Sequence, residues 1–315
     1  MANMKLSLAP ISYFWTKEQI LAFYDEIAET PVDIIYLGET ICSKRRSLNY
    51  QDWINLAKKL RDKGKEVVLS TMTLLEAESD LKTLQRLCSE QGFEQGFMIE
   101  ANDFAAIDQL AEAGKPFVTG PSINIYNSHS LSFLAKQGLK RWTLSVELSK
   151  DVLKLLQAER PEGVETEVFV WGRIPLAYSA RCFTARAHNL PKDNCQYRCI
   201  NDPDGLLLKT REDEAFLCIN GIQTQSALSC NLLDEIPSLR ALDVDVLRIS
   251  PQSHFTPQII EAFHQRLQEN LTITNNDPSL TEKAEKWANS GSCNGYWHGG
   301  SGMDKISEHL QAQQN

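Results

Sequence analysis

Residues 96–120 read GFMIEANDFAAIDQLAEAGKPFVTG. Residues 96–100 form a short apolar run of strand length. Asn102 stands where a helix N-cap belongs, Phe104, Ile107 and Leu110 follow at helical spacing, and Gly114 marks the helix end. A second apolar run, 116–120, begins two residues later. The return is short and the strands do not alternate polar with apolar. Both features point to parallel strands covered by helices.

The same unit recurs outward in both directions. Strand-like runs fall at 5–9, 33–38, 66–71, 96–100, 116–120, 141–146, 165–171 and 245–250. Thr16-Lys17-Glu18-Gln19 fits a capping box ahead of Ile20, Leu21, Tyr24 and Ile27. Trp53, Leu56, Ala57 and Leu60 share one helix face. Helices are expected to end at Gly64, Gly92, Gly114 and Gly138. About eight such strands predict an α/β fold of the (β/α)8 TIM-barrel type. An open doubly wound sheet is the competing reading, but no strand is followed by the Gly-x-Gly-x-x-Gly of a dinucleotide fold.

The rhythm breaks over 176–225, which is rich in Arg, Cys, Asn and Asp. Within it, 206–209 and 216–220 read as a hairpin around 211–214. The stretch is a Cys-rich insertion after strand seven, where barrel loops build the active face. The expected organisation is a barrel-like domain over 1–275 and a polar, loose C-terminal extension over 276–315.

The chain has 315 residues, with 32 Lys and Arg against 41 Asp and Glu, a net charge of −9. This acidic balance argues against nucleic acid or an anionic membrane as the main partner. No apolar run is long enough to span a bilayer. Residues 1–5 lack the apolar core of a signal peptide, so a cytoplasmic location is expected.

Eight cysteines in a reducing compartment speak for metal ligation or thiol chemistry rather than disulfides. Cys182, Cys195 and Cys199 fall in the insertion with spacing C-x12-C-x3-C, and Cys42 lies just beyond strand two. In a barrel these segments share a face. Four thiolates suit an iron–sulfur cluster or structural zinc, and the isolated Cys42 and Cys182 favour iron–sulfur over paired zinc knuckles. The polar neighbours of the insertion thiols do not resemble a core. Cys88, Cys218 and Cys230 read as packing residues, and Cys293 falls in an unusual Ser-Cys-Asn-Gly-Tyr-Trp run. Arg45 and Arg46 beside Cys42, with Arg181 beside Cys182, are candidate contacts to an anionic substrate. The six histidines form no set. His188 alone lies in the insertion. No catalytic residue is identified.

The run Glu167-Val-Phe-Val-Trp-Gly-Arg-Ile-Pro-Leu-Ala-Tyr-Ser-Ala-Arg-Cys182 resembles the signature of the peptidase U32 family, and Cys293-Asn-Gly-Tyr296 resembles its C-terminal motif. The similarity runs from Lys5 to about Trp297. Trp171, Arg173 and Pro175 depart from the family's usual His, Ala and Cys. These departures, with residues 38–46 and 176–186, resemble the iron–sulfur branch of oxygen-independent ubiquinone biosynthesis. That resemblance implies a [4Fe-4S] cluster on Cys42, Cys182, Cys195 and Cys199. It also implies a heterodimer with a UbiU-like U32 protein and hydroxylation of a polyprenyl-phenol ring without O2. The alternatives are a U32-type peptidase and a zinc-stabilised partner-binding scaffold.

Overall fold

The computed structural model describes residues 4–89, 92, 94–269 and 278–306. Its strands are β1 (Lys5–Leu8), β2 (Ile34–Leu37), β3 (Glu66–Ser70), β4 (Met98–Ala101), β5 (Phe117–Thr119), β6 (Leu139–Thr143), β7 (Glu165–Tyr178), β8 (Leu206–Lys209), β9 (Ala215–Asn220), β10 (Gln223–Asn231), β11 (Val246–Ile249) and β12 (Ser292–Cys293). Strands β1 to β7 pair in sequence, all parallel. β11 then pairs in parallel with both β7 and β1 and closes the barrel. An open sheet is thereby excluded.

The helices are α1 (Lys17–Ala28), α2 (Tyr50–Asp62), α3 (Glu78–Leu87), α4 (Phe104–Glu112), α5 (Ser128–Lys136), α6 (Lys150–Ala158), α7 (Phe183–Ala187), α8 (Ile236–Ala241), α9 (Thr256–Gln268) and α10 (Pro278–Trp287). The Thr16 capping box forms as expected, with Gln19 returning its side chain to the Thr16 amide. Gly64 and Gly114 follow α2 and α4 with φ of +84° and +60°, the left-handed geometry of a helix terminator. No helix among the described residues is long and apolar enough to cross a membrane.

Strand side chains alternate between two environments. Ile35, Leu37, Val67 and Leu69 point outward and join the large core beneath the helices. Ile34, Tyr36, Val68, Val118 and Val246 form a separate, smaller cluster inside the barrel. Burial on both faces explains why the sequence shows apolar runs instead of alternation.

Several local expectations need correction. Asn102 does not cap α4. Asp103 does, accepting from the Ala105 amide at 2.7 Å, while Asn102 is buried against Thr71 and Glu100. Phe104 is 62% exposed instead of facing the core. Helix α3 ends at Cys88, whose amide bonds the Leu84 carbonyl, so Gly92 is not its terminator. Strand β7 runs seven residues past Trp171 and carries the chain beyond the barrel wall, where β10 pairs with it antiparallel and β9 and β8 follow.

The segment after residue 276 is not loose where it is described. Leu280 and Ala284 of α10 are buried in the main core, β12 pairs with β10, and Trp297 donates to Glu235 at 2.9 Å. Residues 276–277 and 307–315 lie outside the described residues.

Candidate thiol site and barrel mouth

The chain leaves β2 through Gly38, at φ +145°, where a Cβ would stand 2.6 Å from the Ser70 carbonyl. Only glycine allows this approach. Glu39 Oε1 then accepts from the amides of Ile41 (2.9 Å) and Cys42 (3.0 Å), closing a tight turn. The Arg45 amide bonds the Cys42 carbonyl. The Arg45 side chain is buried and donates to the Ser12 carbonyl and to Asn220 Oδ1, both at 2.7 Å. Cys42 is thus fixed from both sides.

The second segment leaves β7. Cys182 caps α7, its sulfur accepting from the Ala185 amide at 3.4 Å. Phe183 donates its amide to the Gly221 carbonyl, and Thr184 Oγ1 accepts from the Gly221 amide. This anchors α7 to the β9–β10 turn, against which Arg45 also packs. Cys195 follows a 3-10 turn at Lys192–Asn194, and Cys199 lies in another at Arg198–Asn201.

Lys44 joins the two segments. Its ammonium donates to the Lys192 carbonyl and to Asp193 Oδ1, each at 2.9 Å. It also feels the charges of Cys195 and Cys42. The thiols of Cys42 and Cys199 are both pushed up by burial. Each is opposed by the Arg45 guanidinium and raised further by Cys182, and Cys199 also feels Cys42. All four cysteines are free and half-buried.

The donor chemistry fits a thiolate-bound group. Ligating geometry is not formed: among the described residues no three or more His, Cys, Asp or Glu side chains are arranged to hold a metal ion.

The other sequence candidates fall as follows. Arg46 and Arg181 are exposed, and Arg45 is engaged internally. His188 is exposed. The Cys88 thiol is pushed up to about 12, and those of Cys218 and Cys293 to about 11, all chiefly by burial. Cys293 stands in register with Cys230 on the paired strands β12 and β10, and both are buried.

A second constellation escaped the sequence reading. Inside the barrel, fully buried Glu167 accepts from the Tyr36 hydroxyl (2.7 Å), from Thr143 Oγ1 (3.2 Å) and from Ser7 Oγ. Arg248, 3% exposed, lies 2.7 Å from Glu100 Oε1 and 3.4 Å from Glu167 Oε2, with its guanidinium over the Tyr36 ring at 4.3 Å. Above this network, a cavity of about 50 Å³ opens at the C-terminal mouth between Glu100, Arg248, Asn102, Tyr178, Gln223 and Arg173. The mouth is where barrel enzymes place their chemistry. The signal was present: Glu100, Glu167 and Arg248 are charges inside otherwise apolar strand runs.

A family model described as "Peptidase family U32" matches residues 17–307. Among solved structures the chain is similar to the U32 peptidase Mk0906, at 10% identity and TM-score 0.46, over 80% of this chain and 94% of that one. It is also similar to a truncated 3-deoxy-D-arabino-heptulosonate 7-phosphate synthase from Thermotoga maritima, at 10% identity and TM-score 0.43, over 93% and 90%.

Proposed function

The chain belongs to peptidase family U32, and from the pattern of its cysteines we propose that it is an iron–sulfur protein rather than a peptidase. In this reading Cys42, Cys182, Cys195 and Cys199 hold a [4Fe-4S] cluster. The finer proposal is a UbiV-like role: oxygen-independent hydroxylation of a polyprenyl-phenol ring together with a UbiU-like U32 partner. The observation that supports the reading is the tie between the Cys42 turn and the Cys195 loop, made by Lys44 donating to the Lys192 carbonyl and to Asp193 Oδ1 at 2.9 Å.

A bound cluster of this kind supplies one-electron transfer. The chain's own residues have separate tasks. Glu39 shapes the Cys42 turn through two amides. Arg45 and Lys44 place positive charge beside the thiols, which favours thiolate and offsets the negative charge of thiolate-bound iron. Tyr197, Ile200, Leu208 and Phe216 expose apolar surface on the same excursion from the barrel, which supports a protein partner on that face.

The peptidase reading rests on the family's description. The barrel mouth offers it Glu100, Arg248 and Tyr178.

Anaerobic purification followed by iron, sulfide and zinc analysis separates these readings. We expect iron and sulfide near four atoms per chain with a brown absorption band. Serine at Cys42, Cys182, Cys195 or Cys199 should remove the iron, and Cys88→Ser should not. Zinc without colour, or peptide cleavage that survives the Cys182 and Cys195 substitutions, would overturn the proposal.

A further inference from the structure

A cavity among the described residues lies outside the barrel, between α2, α3 and the turn that carries Cys42. It measures about 500 Å³, within the roughly 300–1,000 Å³ of small-molecule sites. Leu37, Trp53, Ile54, Leu69, Leu75 and Leu84 line it. Its rim is basic. Arg46, Lys82 and Arg86 line it, and among the described residues neither Arg46 nor Arg86 forms an ion pair. Arg86 lies over the Tyr50 ring at 4.0 Å.

Two acidic residues, Glu39 and Asp80, also line the cavity, and Lys82 is paired with Glu78 at 2.9 Å, which leaves Arg46 and Arg86 as its unpaired cations among the described residues. Glu39 receives the amides of Ile41 and Cys42, and Asp80 receives those of Glu76 and Ala77. Ser70 also lines the cavity. It is 6% exposed, and its hydroxyl has no hydrogen-bond partner.

We propose that this cavity binds one long apolar chain with a negatively charged head, the chain packed between α2 and α3 and the head met by Arg46 and Arg86. The inference deepens the function proposed above and rests on that reading, in which the ring to be hydroxylated carries a long polyprenyl chain. Ser43, Arg45 and Arg46 belong both to the cavity wall and to the Cys42 turn. A chain held here would therefore lie against the thiol-bearing loop.

The test uses the full chain and 11-(dansylamino)undecanoate as probe, displaced by fatty acids of eight to sixteen carbons and by the matching alcohols. We expect saturable binding of one probe per chain. Affinity should tighten about fourfold per added methylene until the cavity is full. Acids should bind more tightly than alcohols, and Arg46→Glu with Arg86→Glu should abolish that preference. Leu75→Glu, at a half-buried position, should weaken binding at least tenfold while the circular dichroism melt stays cooperative. Unsaturable binding, no dependence on chain length, or full affinity in Leu75→Glu would overturn the proposal. The Cys42→Ser, Cys182→Ser double variant separates the two readings, because it should lose iron and keep the probe. Wild-type protein that takes the probe but never iron defeats only the cluster. Iron without probe binding defeats only the cavity.

Discussion

Lys44 and Asp193 stand 2.9 Å apart, 149 residues from each other in sequence. Their contact fastens the turn of Cys42 to the loop of Cys195. Asp193 is 98% exposed, so the pair contributes little to global stability. Its effect is local, on how far the Cys195 loop can drift from Cys42.

Lys44→Ala should therefore leave the melting midpoint almost unmoved and, on the proposed cluster reading, weaken iron retention roughly tenfold, the size of effect typical for residues that orient metal ligands. A chelator challenge on the anaerobic protein reads this directly. A large fall in melting temperature with iron retained would show that Lys44 acts on the fold instead.

Arg248 is the only described cation in contact with both Glu100 and Glu167. Arg248→Met would remove the cation paired with both buried carboxylates, and a loss of about 3–5 kcal/mol in urea unfolding is expected. Adding Glu100→Gln should recover part of that loss, because one stranded charge is then gone. Equal stability of the single and double variants would mean that the pair is not coupled.

Glu285 of α10 gives an acid-range prediction. Burial tends to raise its carboxyl, but hydrogen bonds from Lys305 and Ser292, the Lys305 charge and Asn231 outweigh this and hold it below the ordinary 4.5. The folded state thus prefers the carboxylate. Its stabilising contribution is complete above about pH 4.5 and is lost as pH falls through the lowered value. Glu285→Gln should be less stable at neutral pH and show a shallower acid limb in a pH series of thermal melts. Parallel limbs in both proteins would remove Glu285 from the acid response.

Much of the barrel was legible because its information is local. The run 96–120 carries two strands and a helix in its own spacing, and every barrel strand lies on one of the expected apolar runs, within about three residues at its ends except β7, which runs seven residues further. Caps were less legible. Asn102 and Asp103 are adjacent and chemically alike, and only the buried demand of Glu100 and Thr71 for the Asn102 amide assigns capping to Asp103. The order of residues 278–306 was hidden because β12 is fixed by pairing with β10 and Trp297 by its bond to Glu235, both far from them in sequence.

For the site, residue type and spacing alone selected Cys42, Cys182, Cys195 and Cys199, since thiols among Arg, Lys and Asp are out of place in a core. What sequence could not supply was distance. The Arg248–Glu100 pair within the barrel, the reach of Lys44 to Asp193 and the cavity between α2 and α3 exist only once the parallel strands close. Pairwise charge and packing decay over a few ångströms of space, and a linear chain does not record which of its distant parts will lie that close.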